Sequence, residues 1–368
     1  MDLLAMGLFA LGLVLLVGGA ELLVRGAAAL ALAAGISPLV IGLTVVAYGT
    51  SAPELAVTVL SAWDGQADIA LGNVVGSNIF NVLVILGLTS VVAPVAVASQ
   101  LVRREVPIMV GVSLLALVMA LDGRVGRIDG VLLATGIVAY TVLSIRLGRR
   151  ETREVQGEYA QALAPCHAPR TAGQLAWDVA LVVLGLVVLM AGSKMLVYGA
   201  VTIARALGVG ELLIGLTIVA AGTSLPELAT SVVAALRGQR DIAVGNVVGS
   251  SICNILGILG VAAMLRPVAV SEAMLALDLP FMVAVAVACL PIFYTGNRIA
   301  RWEGALFLAY YVAYTVYLAM DAVKHESMPT YRTAMEMWVT PLTAVTLAVL
   351  AARAWIAKRR PMESAGST

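Results

Sequence analysis

Long apolar segments alternate with short polar connections along the whole chain. A helix needs about 20 apolar residues to cross a bilayer, and the segments have about that length. The pattern therefore predicts an all-α polytopic membrane protein with ten core transmembrane helices and a probable eleventh. We place the spans at 3–26, 38–62, 69–93, 105–121, 128–147, 176–203, 212–236, 242–265, 275–294, 302–321 and 336–356.

Composition supports a lipid environment and excludes several classes of protein. Of 368 residues, 61% are hydrophobic and 12% are charged, whereas soluble domains carry roughly 25% charged residues. The net charge of +1 argues against a nucleic-acid partner. Cys166, Cys253 and Cys289 are scattered and predict neither a disulfide framework nor a zinc site. We expect no cofactor and no enzyme activity, because the two histidines, His167 and His325, lie in connections away from any catalytic motif.

The strongest pattern is an internal repeat. A shift of 173 residues places Ile41–Gly87 on Ile214–Gly260 with 32 of 47 positions identical. Each half has five predicted spans, and because five is odd, the second half must enter the membrane in the opposite orientation. Inverted repeats place a substrate site near the midplane, where discontinuous helices of the two halves meet. We expect a first repeat at 1–147, a linker at 148–174, a second repeat at 175–321, and an extra helix with a basic tail at 322–368.

The distribution of lysine and arginine predicts the orientation. With the N-terminus outside, 16 of these residues lie in inside connections or the C-terminal segment, and 6 lie in outside connections. Cytoplasmic connections are the ones enriched in these residues. We therefore expect a multi-pass protein of the plasma (inner) membrane, with a cytoplasmic linker at 148–174 and a cytoplasmic C-terminus.

Two short motifs interrupt apolar spans at equivalent places. GTSAPEL occupies Gly49–Leu55 and GTSLPEL occupies Gly222–Leu228. Proline removes a backbone donor and clashes with the preceding turn, so the helices should break near Pro53 and Pro226. Carbonyl groups freed at such breaks must be satisfied or must line a cavity. The motifs therefore predict a cluster of oxygen atoms in the membrane.

The acids of these motifs indicate what the cluster binds. A carboxylate at the bilayer centre costs about 3 kcal/mol on insertion scales, and two carboxylates close together repel each other. A divalent cation would relieve both costs, and hard cations prefer oxygen ligands. Glu54 and Glu227 are therefore the predicted centre of a cation site.

The span that follows each motif carries further polar residues. Ser77 and Asn81 are four residues apart, as are Ser250 and Asn254. Each pair lies on one face of a helix, one turn apart. We favour ion ligation over interhelical hydrogen bonding for these four side chains.

Four other polar residues leave two interpretations open. Asn73 and Asn246 fit hydrogen bonding between helices as well as ion contact. Glu21 and Lys194 occupy equivalent positions in the two halves with opposite charge. A structural ion pair or the lining of a water-facing cavity could explain them.

The paired GTS-x-PEL motifs, each followed by GSxxxN, resemble the two repeats of the cation/calcium exchanger superfamily, which includes the sodium/calcium exchangers and their prokaryotic relatives. The resemblance implies an antiporter that exchanges Na⁺ for Ca²⁺ by alternating access, with the long first and sixth helices sliding past the core. It implies metal ligands at Glu54, Glu227, Thr50, Ser51, Thr223, Ser224, Ser77, Ser250, Asn81, Asn254 and the carbonyl groups of Ala47 and Ala220.

One position departs from the family pattern. Members of this type often carry an aspartate where this chain has Asn254, so two formal negative charges remain at the centre. Two carboxylates balance one Ca²⁺ or two Na⁺ in charge. A proton/calcium exchanger of the same fold is therefore the alternative function. A cation channel is a further alternative that the inverted repeat disfavours, and a monomer is compatible with the sequence.

Overall fold

Helices account for nearly all of the chain that the structure covers. The computed structural model describes residues 3–160, 171–210, 214–294 and 298–323, together with residues 328, 331 and 333. The first half contains α1 (Leu3–Ala34), α2 (Pro38–Thr50), α3 (Ala52–Trp63), α4 (Ala67–Val92), α5 (Val106–Ala120) and α6 (Arg127–Ala160). The second contains α7 (Ala172–Ala206), α8 (Gly215–Val219 continued by Ala220–Gly222), α9 (Leu225–Leu236), α10 (Arg240–Leu265), α11 (Met274–Phe293) and α12 (Arg301–Ala322).

The described helices confirm a polytopic membrane protein, although not the predicted number of spans. Within the described part of the chain, seven helices are long and apolar enough to cross a bilayer, or eight if the bent pair α2–α3 forms one span. Helices α5 and α9 have 15 and 12 residues and are too short for that criterion. The eleventh span predicted at 336–356 lies outside the described residues.

The predicted linker is helical at both of its described ends. Helix α6 continues to Ala160, beyond the predicted end at residue 147, and α7 begins at Ala172. Arginine and glutamate are good helix formers, so the charged sequence extends the helix instead of ending it. The Thr171 hydroxyl caps α7 by accepting a hydrogen bond from the Gln174 backbone N–H. The remainder of the linker, 161–170, is not among the described residues.

Helices α1 and α7 form an antiparallel pair in which the backbones touch. A Cβ atom on Gly12 would lie 2.8 Å from the Gly192 carbonyl oxygen, and one on Gly19 would lie 2.9 Å from that of Gly185. Small residues permit this close packing of membrane helices. Residues late in α1 therefore meet residues early in α7. Since the two helices occupy equivalent places in the repeat, the two halves run in opposite directions, as predicted.

Two short antiparallel ribbons join the halves at their ends. Strand β1 (Val95–Ala96) pairs with β4 (Arg298–Ile299), and β2 (Arg124–Val125) pairs with β3 (Val268–Ala269). Each ribbon takes one strand from each half, so the ribbons are related by the same pseudo-symmetry as the helices. Helices α4 and α10 are enclosed by the others, whereas α1, α7 and α12 are largely peripheral.

Turns of π-helix recur at equivalent places in the two halves. Such turns are uncommon and are frequently found at functional sites. In the first half they span Gly42–Val46, Asn81–Leu86 and Leu101–Glu105, and in the second Gly215–Val219, Cys253–Leu259 and Met274–Asp278.

Candidate ion-binding site

The two motif helices break where the sequence predicts. Helices α2 and α3 are bent by 48° at Ser51, and Thr223 and Ser224 separate α8 from α9. Pro53 and Pro226 each lie in the first turn of the new helix, where a missing N–H group costs no hydrogen bond. The proline therefore starts a new helix, and the hydroxyl residues before it occupy the break.

The breaks bring the two acids together through hydrogen bonds that cross between the halves. The Ser51 hydroxyl donates to Oε1 of Glu227 at 2.9 Å, and the Ser224 hydroxyl donates to Oε1 of Glu54 at 2.9 Å. Both carboxylates are 1% exposed. Each half therefore positions the acid of the other half, at the place where the two repeats meet.

Most of the unsatisfied buried oxygen atoms belong to residues that the sequence singles out. Among the described residues, eight buried side-chain polar atoms lack a hydrogen-bond partner, and all eight are oxygens. A buried acceptor without a donor costs about 1–3 kcal/mol, and more when it is charged. An excess of oxygen acceptors is the environment that a hard cation requires. Five of these atoms come from predicted ligands: Glu54 Oε2, Glu227 Oε2, Thr223 Oγ1, Asn81 Oδ1 and Asn254 Oδ1.

Asn73 and Asn246 connect the helix after each break with the next helix through hydrogen bonds. The Asn73 side-chain amide donates to the Glu54 carbonyl oxygen at 3.2 Å and to the Thr58 hydroxyl at 2.9 Å. Asn246 makes the equivalent bonds to the Glu227 carbonyl oxygen at 3.3 Å and to Ser231 Oγ at 3.0 Å. Of the two interpretations left open by the sequence, hydrogen bonding between helices is the one observed.

The other predicted ligands lie around the two breaks. The Ser250 hydroxyl donates to the Ala47 carbonyl oxygen at 3.4 Å, and the Ser77 and Ser224 hydroxyl oxygens are 3.4 Å apart. The Thr50 hydroxyl donates to Asn246 Oδ1 at 3.1 Å. Ala220 begins the short helix Ala220–Gly222 beside the second break.

Ser193 contributes a contact that the sequence analysis did not foresee. Its hydroxyl donates to the Gly222 carbonyl oxygen at 2.7 Å. That carbonyl is the one freed by Pro226, because the proline has no N–H group to donate. The equivalent residue in α1 is Ala20, so the repeat itself could not predict this bond. A polar residue within an apolar stretch of α7 was the available signal.

A cavity reaches two of the predicted ligands. Its volume is about 500 Å³, and Ser77 and Thr223 lie in its wall together with Gly76, Asp278 and Tyr314. It separates α8 from α4. The cavity therefore gives solvent a route to the predicted ligands.

The equivalent crevice, between α2 and α10, is closed by backbone contact. A Cβ atom on Gly249 would lie 2.5 Å from the Leu43 carbonyl oxygen, and one on Gly42 would lie 3.2 Å from the Gly245 Cα. The equivalents of Gly249 and Gly42 are Gly76 and Gly215, and among the described residues neither has an atom within 4 Å of such a Cβ. The equivalent glycines are therefore packed together in one crevice and apart in the other.

An ion pair holds the closed side. The Arg237 guanidinium donates to Glu21 Oε2 at 2.8 Å, which connects α9 with α1. The equivalent positions carry Lys194 and Asp64, with the charges exchanged, and no ion pair joins these two described residues. Of the two interpretations for Glu21, the structural ion pair is observed, and it forms only on the closed side.

Comparisons with known proteins agree with this architecture. A family model for the sodium/calcium exchanger protein matches residues 4–146 and 177–320. MaX1, a sodium/calcium exchanger of Methanosarcina acetivorans, is 33% identical over 338 residues, covering 84% of this chain and 96% of that protein. The inner membrane protein YrbG of Escherichia coli is 38% identical over 287 residues, covering 77% and 87%. The solved structure of the sodium-calcium exchanger NCX_Mj matches with a TM-score of 0.72 and 31% identity, covering 85% of this chain and 97% of that one.

The matches extend over both halves and over most of the length of each relative. They confirm the family that the paired motifs resemble, and they identify the chain as a membrane antiporter for cations and not as an enzyme. The chain belongs to the sodium/calcium exchanger protein family.

Proposed function

We propose that this protein exchanges Na⁺ for Ca²⁺ by alternating access, with Ca²⁺ held between Glu54 and Glu227. The group of unsatisfied buried oxygens at the meeting point of the repeats carries the proposal. Five of them belong to proposed ligands, which come from both halves, and Ca²⁺ takes six to eight oxygen ligands at about 2.3–2.6 Å. MaX1 and NCX_Mj are both named sodium/calcium exchangers, which supports Na⁺ and Ca²⁺ as the transported ions.

Charge balance explains how binding and transport would be coupled. The serine hydroxyls occupy one oxygen of each carboxylate and leave both Oε2 atoms without a donor. Two negative charges buried in the protein interior repel each other strongly, because the effective dielectric constant is low. One Ca²⁺ or two Na⁺ neutralise them, so a filled site can close and an unfilled site resists closure. Exchange follows, since each ion leaves only when another replaces it.

The proposed ligands are those expected from the sequence. Carboxylates, hydroxyls, amides and backbone carbonyl groups would share the ions, with Na⁺ taking positions that overlap and flank the Ca²⁺ position. The set comprises Glu54, Glu227, Thr50, Ser51, Thr223, Ser224, Ser77, Asn81, Ser250, Asn254, Ala47 and Ala220.

Calcium flux in proteoliposomes tests the site. Glu54→Gln keeps the size of the side chain and removes its charge, so sodium-driven calcium uptake should stop. Asp68→Asn is the matched control, because Asp68 is an exposed acid in the first turn of α4, and uptake should continue. Normal uptake by Glu54→Gln would show that the ions bind elsewhere.

Proton coupling is the second candidate, and Asn254 is the observation that favours it. The amide replaces a carboxylate that family members often carry, which reduces the charge available for a third Na⁺. Two measurements separate the candidates: calcium uptake driven by a sodium gradient at constant pH, and uptake driven by a pH gradient without sodium. Uptake only in the second experiment would replace sodium by protons in the proposal.

We also propose an inner-membrane location with the N-terminus outside and the C-terminus in the cytoplasm. The charge bias between connections supports the orientation, and the similarity to the inner membrane protein YrbG supports the location. In this orientation the cavity opens to the outside. Labelling with an impermeant thiol reagent tests it: Asp122→Cys should react in intact cells, and Arg240→Cys should react only after lysis.

A further inference from the structure

Beyond the central site, the two halves share a second acidic position. Asp278 accepts a hydrogen bond from the Tyr314 hydroxyl at 2.6 Å, and Glu105 accepts one from the Tyr140 hydroxyl at 2.9 Å. The acids are 173 residues apart, and each ends a turn of π-helix. An acid–tyrosine pair therefore recurs in the inverted repeat, once toward each side of the membrane.

The two pairs are in different environments in this structure. Asp278 and Tyr314 line the cavity that reaches Ser77 and Thr223. Glu105 is 0% exposed and contacts Arg104 at 3.0 Å in addition to its tyrosine. One pair thus faces the solvent route to the ions, whereas the other is buried on the closed side.

Asp278 is well suited to attract cations. It is the one side chain with a formal charge in the described cavity wall, and the described residues leave its Oδ2 without a hydrogen bond. A cavity with apolar walls focuses the field of a charge, and such focusing raises association rates by about 10- to 1000-fold. A single carboxylate binds a hydrated ion weakly, so the ion can continue to the deeper site.

We propose that Asp278, positioned by the Tyr314 hydroxyl, is the residue that recruits cations from the cavity side, and that Glu105 with Tyr140 does the same on the other side when that side opens. The inference rests on the proposed cation exchange, but it does not depend on whether Na⁺ or H⁺ is the counter-ion. It assigns a role to two acids that lie outside the central set of ligands. It also predicts that substituting either acid affects ion uptake only from the side of the membrane that this acid faces.

Calcium–calcium exchange in oriented proteoliposomes tests the recruiting role, since this reaction needs neither counter-ion. For Asp278→Asn, we expect the apparent KM for Ca²⁺ on the cavity side to rise about tenfold, with the maximal rate within twofold of the unmodified protein. Tyr314→Phe should raise KM less, because the carboxylate remains but is no longer held. Asp278→Glu should restore most of the affinity, which a purely structural role would not predict.

Glu105→Gln and Asp122→Asn are the matched controls. Glu105→Gln should leave KM unchanged on the cavity side and raise it on the opposite side, and Asp122→Asn, in an exposed turn, should change neither. Calorimetric titration of Ca²⁺ on each purified variant shows whether the central site still binds. An unchanged cavity-side KM in Asp278→Asn would overturn the proposal, as would equal effects on both sides. If the unmodified protein did not bind Ca²⁺ in this titration, the proposed function itself would be overturned.

Discussion

The glycines of the closed crevice provide a test of how the two sides alternate. In Gly249→Ala, the new Cβ would lie 2.5 Å from the Leu43 carbonyl oxygen and 2.7 Å from the Leu43 Cα. Ordinary contacts of this kind are about 3.5 Å or longer, so α2 and α10 would have to separate by roughly 1 Å. In the equivalent change, Gly76→Ala, the new Cβ meets no atom of the described residues within 4 Å.

The size of the effect follows from these distances. Overpacking of a close contact costs about 1–3 kcal/mol, and here the cost applies only to conformations in which this crevice is closed. A difference of that size shifts an equilibrium by about 5- to 150-fold. Gly249→Ala should therefore favour the conformation in which this crevice is open and the present cavity is closed. Gly76→Ala should favour the present conformation, because its methyl group opposes closure of the cavity.

Thiol accessibility measures the shift. Leu318 lines the cavity, so Leu318→Cys in a background without the native cysteines reports on whether the cavity is open. We expect an impermeant reagent to label it more slowly in Gly249→Ala and at an equal or higher rate in Gly76→Ala. Gly111→Ala, whose Cβ also meets nothing within 4 Å, is the control. If both test variants changed labelling in the same direction, equivalent glycines would not close the two crevices in turn.

Three further changes have defined outcomes. Asn254→Asp adds a third carboxylate to the proposed set of ligands and should change the number of Na⁺ per Ca²⁺ or the pH dependence of calcium flux, measured in proteoliposomes. Glu21→Arg should destabilise the conformation with this crevice closed by up to about 1 kcal/mol and so slow the labelling of Leu318→Cys. The double variant Glu21→Arg/Arg237→Glu should restore the labelling rate. Ser193→Ala leaves the Gly222 carbonyl without its donor, which should lower the free energy of unfolding by about 1–3 kcal/mol and lower the melting temperature in detergent. An unchanged melting temperature would mean that water replaces the hydroxyl.

Local chemistry made much of the site predictable from the sequence. A proline after two hydroxyl residues breaks a helix wherever it lies, and a buried acid requires a partner in any fold. The breaks before Pro53 and Pro226 are where the sequence predicts them, and Glu54 and Glu227 each accept a hydrogen bond from a serine at the opposite break. The helix that continues to Ala160 was missed, because apolar length alone does not show where a charged helix ends.

The repeat determined that the halves are equivalent and opposed, since an odd number of spans reverses the second copy. Only the tertiary structure decided that the serine of each half binds the glutamate of the other, because a motif cannot specify whether its partner lies in the same copy. It also decided which crevice is closed. Gly42 and Gly215 have nearly the same sequence around them, but one is packed and the other is open. Almost identical sequences permit both arrangements, and the packing of the whole molecule selects which crevice is closed.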